Sequence, residues 1–108
     1  MKLKLLNTLQ DAVIKAPLHF EFGGVTFKFT AHIKLLDTPQ IDELTSNNTK
    51  TDQQIARELL VGWDGFIDEG QPVPFSSDVL EQLLVYGGIA GRITAECVNA
   101  QYRVQEKN

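Results

Sequence analysis

The stretch LHFEFGGVTFKFTAHI, residues 18–33, decides how this chain folds. Apolar and polar residues alternate on both sides of Gly23-Gly24. Such period-two alternation about a Gly pair specifies two antiparallel strands joined by a two-residue turn. The register pairs Phe22 with Val25, Phe20 with Phe27 and Leu18 with Phe29 on one face. Glu21 opposite Thr26 and His19 opposite Lys28 fall on the other. Phe20, Phe22, Phe27 and Phe29 therefore share one face, four of the six Phe in the chain. An isolated hairpin is marginal in water, so this face must pack on the chain's own helices or on another chain.

Towards the N-terminus, residues 3–15 place Leu5, Leu6, Leu9, Ala12 and Val13 at helical spacing, which predicts a short amphipathic helix ended by Pro17. Towards the C-terminus, Thr38-Pro39 reads as a helix start with Asp42 and Glu43 in the first turn. The polar run at 45–51 reads as a loop. Thr51 with Gln54 makes a capping box, followed by Ile55, Leu59 and Leu60 as a buried stripe that stops near Gly62. Ser76 or Ser77 caps a helix striped by Val79, Leu80, Leu83 and Leu84, and Gly87-Gly88 stop it. Ile89, Ile93, Cys97, Ala100 and Val104 trace a last helix. The expected fold is a single α+β domain over 1–108, mostly α-helical: an N-terminal helix and β-hairpin followed by three to four short helices. Residues 105–108 are expected to fray.

With 108 residues and 43% apolar content, the chain is long enough for one core and apolar enough to form it. No apolar run approaches the ~20 residues that a membrane-spanning helix needs. The N-terminus lacks the pattern of a cleaved leader, and the single cysteine forms no internal disulfide. A cytoplasmic protein is the expectation. The net charge of −4 is unevenly spread. Residues 1–36 carry five Lys against two acids, and residues 37–81 carry ten acids against Lys50 and Arg57. An acidic middle argues against phosphate-backbone binding, which needs clustered Lys and Arg. A basic start beside an acidic middle suits contacts between copies, with Lys2, Lys4, Lys15, Lys28 and Lys34 facing a neighbour's acids.

The segment VGWDGFIDEGQPVPFS at 61–76 concentrates the chemistry candidates, because Asp64, Asp68 and Glu69 lie within six residues. Calcium is one reading, yet an EF-hand loop counted from Asp64 places Phe66, Glu69 and Phe75 at the third, sixth and twelfth positions, so the pattern fails. A carboxylate acid/base pair needs opposed environments in a cleft, and nothing in this Gly-rich connector supplies them. Cys97 with His19 or His32 as base is a further candidate. Against it, Cys97 lies on an apolar helix stripe and the three residues show no ligand spacing. No catalytic residue, metal ligand or cofactor is expected. Trp63, Asp64, Gly65, Phe66, Pro72, Pro74 and Phe75 read instead as a rigid structural elbow between two helices.

The run LLVGWDGFIDEGQPVPFSSDVLEQLLVYGGIAGRI resembles the tail assembly chaperones of long-tailed, non-contractile (siphovirus-type) phages and prophages. The W-D-G turn, acidic stretch, P-x-P-F-S passage and Leu-rich helix stand in that family's order over residues 57–93, about a third of the chain. YGG at 86–88 departs from the family's IPG, and the extra Asp of many members' acidic turn is missing. The resemblance implies a non-enzymatic factor, the short form of a product often also made with a frameshifted extension. Such a factor self-associates and coats the tape measure protein while tail tube subunits are recruited. It works in the host cytoplasm and is absent from the mature virion. The alternative from another class is a small acidic protein-binding module or inhibitor of host or prophage origin.

Overall fold

The computed structural model describes residues 3–46 and 50–103. At its centre the expected hairpin forms, and each arm is ten residues long: β1 (Val13–Phe22) and β2 (Val25–Lys34). The register is the expected one, Phe22 with Val25, Phe20 with Phe27 and Leu18 with Phe29, and it continues to Val13 with Lys34. Gly23 and Gly24 both take positive φ, +61° and +82°, the pair that a turn matched to the strand twist requires.

The N-terminal helix over 3–15 is not what forms. A single α-turn, α1 (Lys4–Asn7), runs into a 3₁₀ turn (Thr8–Asp11), and the chain is already strand at Val13. Val13 and Ile14 are β-branched and gain ladder partners in Lys34 and Ile33. Pro17 does not stop a helix but sits inside β1, the edge strand of the sheet. Counting from the turn-closing pair Phe22–Val25, hydrogen-bonded pairs alternate, and Pro17–Thr30 falls on a non-bonded one. The missing proline N–H therefore costs the ladder nothing.

The mostly helical layout is also overturned. A third strand, β3 (Leu60–Asp64), pairs antiparallel with β2 and makes a sheet of order β1-β2-β3. Strand takes 30% of the described residues and helix 48%, with the long strands first and most of the helix after them. In β3 the register shifts at His32/Ile33, where Leu60 opposes Ile33 and Gly62 opposes His32, leaving Val61 as an extra, bulged residue. The bulge puts Leu60 and Trp63, three apart in sequence, on the same buried face.

After β2, α2 (Thr38–Ser46) is capped one residue earlier than expected. The Gln40 N–H donates to Asp37 Oδ1 and the Asp37 N–H to Gln40 Oε1, each at 2.9 Å. Helix α3 (Asp52–Leu59) carries the Thr51–Gln54 capping box, and α4 (Ser77–Leu84) is capped by Ser76. Gly87 and Gly88 open the last helix, α5 (Gly87–Ala100), whose Ile89, Ile93, Cys97 and Ala100 are buried. Val104, the tail at 105–108 and residues 47–49 of the polar loop lie outside the described residues.

Helix α5 packs on β1, α3 and α4. Ala16, Leu18, Phe29, Ala31 and Ile33 of the hairpin meet Leu59, Leu84 and Ile93 in one core, with Phe20 and Phe27 packed at its margin. The hairpin's apolar face thus finds its cover mainly in its own helices. On its other face Lys15, His19, Glu21 and Lys28 are exposed and His32 is half-buried.

Candidate functional site

The segment 60–76 is built around one ring, Trp63. Phe29, Phe66 and Phe75 surround it with centroids 5.6, 5.0 and 4.7 Å away, the last edge-on, and Phe66 also stacks on Phe29 at 5.1 Å. Buried aromatic groups contribute area and favour such tilted contacts. The indole N–H of Trp63 donates to the Val73 carbonyl at 2.8 Å, and the Val73 N–H donates to the Phe66 carbonyl at 2.8 Å. Pro72 and Pro74 flank Val73 and favour extended backbone there. Between Phe66 and Val73 lies a miniature hairpin, β4 (Ile67–Asp68) with β5 (Gln71–Pro72). Its two turn residues, Glu69 and Gly70, have φ of +50° and +78°. Gly65 is also left-handed, φ +72°, and turns the chain from β3 into this hairpin. All seven residues read as an elbow belong to this unit. Its first part is a sheet strand, not a turn.

The carboxylates of the segment do not converge. Asp64 Oδ2 lies 2.8 Å from His32 Nε2 on the open sheet face, with 58% of its own side chain exposed. Gly62 makes room for that pair, since a Cβ there would sit 3.0 Å from His32 Nδ1. Asp68 and Glu69 are exposed on the miniature hairpin. Cys97 is fully buried on the opposite side of the sheet from His19 and His32, so the imagined nucleophile and bases are not brought together. Burial pushes the Cys97 thiol up to about 12, with the neighbouring Glu96 adding to the rise. Such a thiol is inert, not a nucleophile. Among the described residues no group of three His, Cys, Asp or Glu is placed to hold a metal ion.

Of the residues read as contact candidates, Phe29 is buried in the aromatic cluster. Phe20 and Phe27 stack on each other at 5.2 Å, with the Arg92 guanidinium over Phe20. Phe22 is 38% exposed and leans on Tyr86. Lys4, Lys15, Lys28 and Lys34 are exposed, and Lys2 lies outside the described residues.

Two apolar surfaces stand out instead, one at each end of the hairpin. At the base, α1 and the 3₁₀ turn bury none of their residues. Leu3, Leu5, Leu6 and Leu9 are 47, 69, 48 and 46% exposed. Beside them a cavity of about 650 Å³ is lined by Leu6, Leu9, Leu35 and Leu36. At the tip, Val25, Ile67, Val85 and Tyr86 are more than half exposed. A second hollow there, of about 360 Å³, lies between the hairpin, the miniature hairpin and α4. A scatter of single exposed apolar residues is normal, whereas contiguous ones mark interaction sites. The sequence reading missed both surfaces. No local signal marked the base, because helical spacing of its leucines says that the segment is amphipathic and not what its apolar side packs against.

Comparisons with known protein families, with characterised proteins and with solved structures gave no match to this chain. Among the described residues, no helix is long and apolar enough to cross a membrane.

Proposed function

We propose that this chain is a non-enzymatic morphogenesis factor of the phage tail assembly chaperone type. It self-associates and coats the tape measure protein while tail tube subunits are recruited, working in the host cytoplasm and leaving before the virion is mature. The observation that carries the reading is the pair of exposed apolar surfaces at opposite ends of a small chain. A subunit that repeats along a long partner needs complementary surfaces at its two ends, each open before assembly. The ordered motifs over residues 57–93 support the same reading. They build the Trp63 unit, which fixes Ile67 beside the hairpin tip. A tape measure protein is a long helical chain with apolar stripes, and covering those stripes until tube subunits arrive is a helix-in-groove task.

Co-expression with a soluble, tagged tape measure fragment tests this. The chain is expected to be retained with the fragment on affinity resin. No retention, with both proteins soluble, would overturn the reading and favour an acidic inhibitor with a basic partner.

A further inference from the structure

We infer that copies of this chain join head to tail, the N-terminal leucine segment at the hairpin base of one copy docking into the hollow at the hairpin tip of the next. The inference rests on the self-association in the proposed function and assigns its two surfaces.

The first support is geometric. The Leu35 N–H donates to the Ala12 carbonyl at 3.1 Å and ties the segment to the hairpin base. The tip hollow lies at the other end of strands ten residues long, about 30 Å away at ~3.3 Å per residue. One copy therefore cannot fill its own hollow with its own leucines. Two complementary surfaces at opposite ends of one subunit make a heterologous contact, which propagates into a ring or an open helix.

The second support is charge. The segment presents Lys4 near its start and Asp11 at its end, both exposed. At the tip hollow, Asp68 with the adjacent Glu69 stands on the miniature hairpin, and Lys28 borders the sheet side. Laid across the hollow with Lys4 towards Asp68 and Glu69, the segment brings Asp11 towards Lys28, so both ends meet opposite charge. Reversing it sets like charges together, which fixes the orientation. The apolar middle, Leu5, Leu6 and Leu9, then faces Val25, Ile67 and Leu83.

Sedimentation velocity on the wild-type chain and two variants tests this. One variant carries Leu5→Asp with Leu9→Asp, the other Val25→Asp with Ile67→Asp. All four residues are exposed, so both variants should keep the wild-type circular dichroism spectrum. The wild type should sediment as species larger than a dimer, and each variant alone as a monomer. An equimolar mixture of the variants should form dimers and nothing larger, because one intact base then meets one intact tip. A variant that assembles like the wild type would overturn the assignment, as would a mixture that stays monomeric. Tape measure retention would still be expected in those cases. A monomeric wild type would overturn the assignment together with the self-association beneath it.

Discussion

The indole N–H of Trp63 reaches across ten residues to the Val73 carbonyl at 2.8 Å. That bond closes the miniature hairpin against the end of β3, and the ring fills the space between Phe29, Phe66 and Phe75. Trp63→Phe should keep most of the packing but orphan the Val73 carbonyl, at a cost of about 1–2 kcal/mol. Trp63→Ala should cost about 3–5 kcal/mol, as large aromatic truncations in cores do. Urea denaturation curves measure both. Equal losses would mean that the hydrogen bond and ring volume are not separable contributions.

Glu69 is the one non-glycine among the described residues with positive φ, +50°, and it occupies the first turn position of the miniature hairpin. A left-handed conformation disfavours most side chains by about 1–2 kcal/mol, and Asn tolerates it better. Glu69→Asn should therefore raise stability by about 0.5–1 kcal/mol, read as a higher urea midpoint. The same substitution removes a tip charge and should weaken self-association. Gain in one assay with loss in the other would show a strained residue kept for contact.

Cys97 stays a neutral thiol far above the ordinary range, because burial disfavours the thiolate and Glu96 repels it. Once unfolded it ionises near pH ~8.5. Between that value and about 12 the unfolded chain has lost a proton that the folded one retains. Stability from this group is thus complete below pH ~8.5 and declines as pH rises. Cys97→Ala should flatten the fall in thermal midpoint between about pH 9 and 11 relative to wild type. Ellman's reagent should leave the folded wild type largely unmodified and label it fully in urea.

The hairpin was legible because period-two alternation and a Gly-Gly turn are local signals, and Phe20–Phe27 and Leu18–Phe29 stand in the expected register. The segment before it was not. Leu5, Leu6, Leu9, Ala12 and Val13 satisfy a helical spacing, yet Val13 and Ile14 gain more from their distant ladder partners, Lys34 and Ile33, than from a local turn. Strand β3 was hidden for two reasons. It is short, and the bulge at Val61 places Leu60 and Trp63 on one face at a spacing that no regular strand has. At the level of function, periodicity reports that a segment is amphipathic. It does not say whether its apolar side faces the core, and the leucines at the base face outward.

The proposed head-to-tail contact would set Lys4 against Asp68 and Glu69, and Asp11 against Lys28. Exposed pairs of this kind are screened within ~8–10 Å at physiological ionic strength. Raising salt from 0.05 to 0.5 M should weaken self-association about 2- to 5-fold per pair without abolishing it, since the leucine contact remains. Association unchanged across that range would remove the electrostatic part of the contact.

Cover of an apolar partner during assembly, as proposed for this chain, is read most directly from the solubility of a tape measure fragment. A fragment that aggregates when expressed alone should become soluble on co-expression, and purify with several copies of the chain bound. A fragment that stays insoluble beside abundant, folded chain would contradict the claim.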